Sequence, residues 1–335
     1  MRILVTGAAG FIGSHVATAL ARLGHDVVAA DAFLHASYIN LLGFTGDVLT
    51  LRDYDDLRSI DAAGPFDVVV HQSAITGMLH ADGSPVRDTQ LVLRSNVELF
   101  RALLQRAVPW KASVVWASSC SIYGRGPVPM REDQPPDPLN AYAYSKLLKE
   151  RLATRFAPSL PGIVGLRYTN VYGPGEAHKG KLASMVQQLA LQMRQGQRPR
   201  IFTDGSQRRD FVYIDDVVQA NVKAIELARH SDRKAHVFNV GAGASWSFNE
   251  LVRQLNAALG TDLPPQYFDN PYGFTQDHTE ADLTRARVEL GYTPHFDLTA
   301  GIRAYAESGE LGMAEQVPRP PYTFRGRVEL PRRDA

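Results

Sequence analysis

Residues 7–13, Gly-Ala-Ala-Gly-Phe-Ile-Gly, constrain this chain more than any other segment. They form a G-x-x-G-x-x-G run between a short apolar stretch, residues 2–6, and a segment over 11–23 whose apolar residues recur at helical spacing until Gly24. Strand, glycine turn and helix in that order predict a dinucleotide-binding βα unit. Gly7 permits the tight turn, Gly10 lets backbone approach a pyrophosphate, and Gly13 allows the helix to pack closely on the strand. Phe11 and Ile12 open the helix, whose free N–H groups and positive dipole end suit phosphate.

The next strand, DVVAAD over 26–31, ends in Asp31, placed to accept hydrogen bonds from the adenosine ribose hydroxyls. A 2′-phosphate there meets like charge, and Ala32, Phe33 and Leu34 supply no cation to relieve it, so the reading favours NAD over NADP. Asp47 and Val48 are expected near adenine. Gln72, Ser73 and Ala74 follow the strand DVVVH over 67–71, where the cofactor crosses the sheet, and Asn96 is counted with the cofactor residues.

Further strands are expected at 113–118 and 162–167, with helices at 51–60, 91–106, 142–156 and near 182–194. Apolar strands alternating with helices predict an α/β fold, a Rossmann-type doubly wound parallel sheet with a smaller, interleaved C-terminal substrate lobe. The expected division is a cofactor domain over 1–170 with returning segments around 209–240, a substrate lobe over 171–208 and 241–312, and a Pro/Arg-rich tail over 313–335. Short strands near 200–203, 210–213 and 237–240 are read as pieces of that second lobe.

Composition narrows the function classes. The 335 residues are 44% hydrophobic and 21% charged with net charge +1, so no global field recruits nucleic acid or an anionic membrane. No apolar run reaches the roughly 18 residues of a membrane span. A single cysteine, Cys120, fits a reducing compartment, and the chain is expected to begin at its first strand without a leader, which reads as cytoplasmic. No metal site is expected.

The chemistry is expected at Tyr142-Ala-Tyr-Ser-Lys146, which opens a helix and puts Tyr142 and Lys146 at i and i+4 on one face. A free phenol, of pKa about 10, is a poor base at neutral pH, and a neighbouring ammonium lowers that value. Lys146 is also in place for the nicotinamide ribose, and Ser119, ending the preceding strand, can share the substrate proton. Together they make a proton relay for oxidising an alcohol while a nicotinamide accepts hydride.

With Ser118-Ser-Cys-Ser-Ile-Tyr-Gly124, Arg167-Tyr-Thr-Asn-Val-Tyr-Gly-Pro174 and Arg209-Asp-Phe-Val-Tyr213, these motifs resemble the extended short-chain dehydrogenase/reductases that act on nucleotide sugars, over about residues 1–310. The resemblance implies catalytic Ser119, Tyr142 and Lys146, with Asn170 and Val171 between substrate and nicotinamide, and a homo-oligomer. Residues 175–184, GEAHKGKLAS, are similar to the ADP-glycero-manno-heptose 6-epimerases, as are Phe274-Thr-Gln276 and Ala281-Asp-Leu-Thr284. There the lysine of the His-Lys-Gly triplet is a second acid/base, which carries over to Lys179; the competing reading is a solvated loop lysine or a phosphate contact.

Lys181 stands where that family has a small hydroxyl residue, and residues 75–80 depart from its serine/threonine-rich stretch. Arg209 suits the nucleotide diphosphate through its bidentate fork, while Lys181, Gln188, Phe202 and Tyr272 complete the expected substrate contacts. A dehydratase or decarboxylase places a carboxylate just after Ser119 or two residues on, where this chain has Cys120 and Ser121. A UDP- or GDP-sugar 4-epimerase, a ketoreductase and a non-catalytic NAD-binding scaffold are the remaining alternatives.

Overall fold

The computed structural model describes residues 1–315 apart from Tyr54, residues 76–88, Ser231 and residues 271–275. The chain opens with β1 (Arg2–Thr6), α1 (Phe11–Arg22), β2 (Asp26–Asp31), β3 (Asp47–Thr50), α2 (Leu57–Ala63) and β4 (Val68–His71). A long helix follows in two parts, α3 (Thr89–Leu93) and α4 (Leu99–Trp110), joined by a π-helical turn over Arg94–Glu98. Next come β5 (Ser113–Ser119), α5 (Ala141–Phe156), β6 (Ile163–Tyr168), β7 (Asn170–Tyr172), α6 (Met185–Arg194), β8 (Arg200–Phe202), β9 (Arg208–Arg209) and β10 (Phe211–Tyr213). The remainder is α7 (Ile214–Arg229), β11 (Ala235–Val240), β12 (Trp246–Ser247), α8 (Phe248–Leu259), β13 (Gln266–Phe268) and α9 (Leu298–Glu307).

Seven strands pair in the order β11-β6-β5-β4-β1-β2-β3, all parallel. Alternation along the strands explains their apolar runs. Ile3, Val5, Val68, Val70, Val115 and Val164 face one buried core, shared with α1 and α7. Leu4, Val69, Val114, Trp116 and Ile163 face the other, against α4 and α5. A strand buried on both faces has no polar side to show, as a doubly wound sheet requires. The strand order reverses at β1, so a crevice opens at the carboxyl ends of the strands there.

Several expectations need correction. The strand near 237–240 is not part of a second lobe: it is β11, the sheet edge, paired with β6 from Ala235↔Ile163 to Val240↔Tyr168. The helix expected over 51–60 begins at Leu57 because Asp56 caps it, accepting from the Ser59 N–H at 3.3 Å. Three helices lie where none is expected from the sequence reading: α7, α8 and α9. Of these α8 carries a legible start, the capping box of Ser247 and Glu250. The two-stranded pairs β10–β7, β12–β9 and β13–β8 lie outside the main sheet.

Candidate active site

At the carboxyl ends of β1, β2, β4, β5 and β6 a cavity of about 730 Å³ opens, lined by residues from the β1–α1 turn through to α6. Gly7, with φ of 70°, makes the turn. A Cβ on Gly7 falls 2.6 Å from the Ser73 nitrogen, and one on Gly13 falls 2.0 Å from the Gly7 carbonyl oxygen. The turn therefore packs without room for side chains. Helix α1 starts at Gly10 with no side-chain cap and no acidic residue in its first turn, so its N-terminal donors suit a pyrophosphate. Asp31 accepts from the Ala9 N–H at 2.9 Å and the Phe33 N–H at 2.8 Å, which fixes its carboxylate at the cavity wall with lone pairs to spare. These residues fit NAD.

Gly7, Gly10, Phe11, Ile12, Gly13, Asp31, Gln72, Ser73, Ala74, Tyr142, Lys146 and Val171 all line this cavity. Asp47 and Val48 do not. The strand register explains why: Asp47 pairs with Val28 and Val48 with Ala29, whereas Asp31 at the carboxyl edge pairs with Thr50. The residue beside the crevice is the next one, Leu51, which is buried there and donates its N–H to the Asp31 carbonyl at 2.9 Å. Counting from the end of the strand rather than its start identifies it. Asn96 is also behind the cavity wall: its amide oxygen accepts the Ile75 N–H (2.8 Å), and its amide nitrogen donates to the Ile75 carbonyl (3.0 Å) and to Ser145 Oγ (3.0 Å). It ties the segment after β4 to the helix that carries Tyr142.

Tyr142 sits in the first turn of α5, started by Asn140, whose side chain accepts the Ala143 N–H at 2.9 Å. Ser119, at the end of β5, lines the same cavity as Tyr142, its Oγ accepting the Ser121 N–H at 3.1 Å. Lys146 Nζ lies 5.2 Å from the centre of the Tyr142 ring and donates to the Ala117 carbonyl at 2.9 Å. The expected fall of the phenol pKa is not what the polypeptide alone produces. Burial pushes Tyr142 up to about 12, against the lowering influence of the Ser119 hydroxyl, and pushes Lys146 down to about 7. Both shifts have the same leading cause, loss of hydration of the charged form.

The far wall is the loop between β7 and α6. Lys179 lines the cavity, its Nζ 5.3 Å from the centre of the Phe11 ring. The neighbouring His178 bonds the Gly175 carbonyl through Nδ1 at 3.0 Å. Asn40 donates to the Ala9 carbonyl at 3.0 Å and its amide nitrogen lies 3.4 Å from the same Nδ1, so the loop packs beside the glycine turn. Asn40, Glu176 and His178 escape the sequence reading. Glu176 is fully buried beside Lys179, and a buried glutamate three residues ahead of a lysine has no local sequence mark.

The expected substrate contacts divide. Ser119 and Asn170 line the cavity. Lys181 is exposed and off it, and Gln188 turns its amide onto the Lys181 and Ala183 carbonyls at 3.1 and 2.7 Å. Phe202 packs edge-on against Phe268 at 4.9 Å, away from the cavity. Arg209 also lies outside it, largely shielded. Its Nη1 donates to the carbonyls of Arg208 and Asp277, and no carboxylate among the described residues forms an ion pair with it. Burial pushes that guanidinium down to about 10, against the charge of the nearby Asp277. Tyr272, Phe274 and Thr275 lie outside the described residues, as do residues 76–80 and the tail beyond Glu315. The described residues include no group of three or more His, Cys, Asp or Glu able to hold a metal, and no helix long and apolar enough to cross a membrane.

Residues 3–241 match the model of the NAD dependent epimerase/dehydratase family. The chain belongs to that family. It is accordingly an NAD-dependent enzyme of the epimerase type. Over 320 residues it is 33% identical to the ADP-L-glycero-D-manno-heptose-6-epimerase of Brachyspira hyodysenteriae, covering 91% of this chain and 96% of that one. The crystal structure of the Helicobacter pylori ADP-L-glycero-D-manno-heptose-6-epimerase is 36% identical with a TM-score of 0.83, covering 91% of this chain and 95% of that one. The UDP-glucose 4-epimerase of Thermotoga maritima, solved with UDP-glucose, is 30% identical with a TM-score of 0.83, over 92% and 98% of the two chains.

Proposed function

We propose that this enzyme inverts C6 of an ADP-linked manno-heptose, by oxidising the carbon to a ketone and reducing it from the other face. One observation carries the reading: two groups able to move a proton, Tyr142 and Lys179, line the same cavity from opposite elements, α5 and the β7–α6 loop. NAD supplies a hydride acceptor that returns the hydride within each cycle, and a positive charge that favours phenolate at Tyr142. Net inversion requires the planar ketone to present its second face, so its oxygen meets a different partner in each orientation. In one direction Tyr142, relayed through Ser119, takes the alcohol proton before the ketone turns and Lys179 gives a proton to its oxygen afterwards; in the reverse direction the two exchange roles. Lys146 holds the nicotinamide ribose and the charge balance of Tyr142. The Arg209 guanidinium takes the diphosphate.

Asp31 opposes a 2′-phosphate, and among the described residues no lysine or arginine lines the adenosine side near Ala32, Leu34, His35 and Ala36, which supports NAD over NADP. Residues 1–170 with 209–240 are read as the cofactor domain and the rest to 312 as the substrate lobe. The enzyme is read as a cytoplasmic homo-oligomer, on the single cysteine and the family resemblance. The Thermotoga maritima likeness favours a second reading, 4-epimerisation of a UDP-sugar. Incubation with a panel of ADP-, UDP- and GDP-sugars, followed by NMR, tests both. Inversion at C6 of the ADP-heptose alone is expected, and inversion at C4 of a UDP-sugar instead would replace the reading.

A further inference from the structure

We propose that Glu176 is a positioning residue for the second proton-transfer group: its buried carboxylate closes the β7–α6 loop into one rigid turn and serves as counter-charge to Lys179. The proposal rests on reading Lys179 as that group. Glu176 is completely buried and does not line the cavity, so it acts through Lys179 rather than on substrate. One carboxylate oxygen accepts the Gly173 N–H at 3.2 Å and the Ser184 hydroxyl at 2.8 Å; the other accepts the Ser184 N–H at 2.5 Å. A single side chain thereby joins the end of β7 to the start of α6, across the segment that carries Lys179. The Lys179 N–H in turn bonds the Glu176 carbonyl at 3.0 Å.

The placement is held from outside as well. Glu310, also buried, accepts the Gly175 N–H at 2.8 Å, and His178 donates from Nδ1 to the Gly175 carbonyl at 3.0 Å, next to the Asn40 amide that donates to the Ala9 carbonyl of the glycine turn. Among the described residues the charged and titratable groups around Lys179 are Glu176, His178 and the exposed Lys181 on its own loop and Glu310 from the segment after α9. Asp31, His35, Tyr142, Lys146 and Tyr168 share the cavity wall with it. Among these Glu176 is the charge that favours the ammonium, against burial that disfavours it. Lys179 reciprocates by favouring the carboxylate. A carboxylate buried for packing alone gains nothing from that arrangement. A proton donor that must recover its proton each cycle does.

The test compares Glu176→Gln, Glu176→Asp and Lys179→Met, each purified with NAD bound, by the pH profile of kcat for epimerisation and by the NAD released on acid treatment. Glu176→Gln removes the charge, so the alkaline limb is expected to move to lower pH by roughly one unit, with NAD content unchanged. Glu176→Asp keeps the charge and is expected to lower kcat while leaving the limb in place. It decides the matter if the Gln variant does not fold, since a displaced limb in the Asp variant would overturn the proposal. An unmoved limb in a folded Glu176→Gln enzyme would overturn it equally. Lys179→Met separates the underlying reading: inversion at the wild-type rate in that variant removes Lys179 itself, whereas its loss together with an unmoved Gln limb removes only Glu176.

Discussion

Tyr142 and Lys149 occupy the same helix, two turns apart, and the surroundings of each make a distinct prediction. For Tyr142, removal of the hydroxyl leaves the ring packing and the bond of Lys146 to the Ala117 carbonyl in place. Tyr142→Phe is expected to lower kcat about 10²–10⁴-fold, the range of a general acid/base, while NAD still copurifies. Wild-type turnover in that variant would remove Tyr142 from the chemistry. Lys149 is fully buried with its Nζ 4.7 Å from the centre of the Phe100 ring and 5.3 Å from that of Trp116, and it has no hydrogen-bond partner among the described residues. Burial, then the nearby Lys146, holds its pKa well below the ordinary lysine value. Below about 10.4 the unfolded chain carries that proton and the folded one resists it, so stability falls as pH falls toward the native pKa and rises as pH rises. Lys149→Met is expected to stabilise the protein by about 1–3 kcal/mol at neutral pH and to flatten this dependence, measured by urea unfolding at several pH values. A destabilised Met variant would show that the amine has a partner.

At the scale of elements the β1–α1 turn is the most readable part, because Gly13 is demanded by a backbone contact within the turn itself and Gly7 by its positive φ. Gly13→Ala puts a methyl carbon 2.0 Å from the Gly7 carbonyl, a clash with backbone that no side-chain rotation relieves. The turn must open, at a cost of about 1–3 kcal/mol, and NAD is expected to be lost on purification. An alanine variant that retains NAD would contradict the role of that close contact. The less readable elements share a physical reason. Helix α7 is buried on nearly every side, from Val217 and Val218 to Ala224, Ile225 and Ala228, so it lacks the polar face that makes a helix visible as a stripe. Asp47 and Val48 illustrate a different difficulty: adjacent strand positions look alike in sequence, and only pairing with β2 shows which lies at the crevice. Contacts between distant segments, such as Asn40 with the Lys179 loop, have no local signature at all.

The whole molecule joins a sheet whose strand ends open on the cavity to a loop that brings Lys179 to the same cavity. Its two buried cores stand on opposite faces of that sheet, and the cavity lies at the strand ends where both cores stop. Ligand that binds only the folded chain must stabilise it, so added NAD is expected to raise the melting temperature of protein stripped of cofactor, and NADP to raise it less. Equal shifts would contradict the discrimination assigned to Asp31. The central claim is inversion by hydride removal and return within a single active site. Its most direct measurement is NMR of the ADP-heptose epimerised in deuterium oxide. The account predicts the C6 epimer with hydrogen, not deuterium, at the inverted carbon and no net change in absorbance from reduced NAD. Deuterium at that carbon, or accumulation of an oxidised sugar, would contradict it.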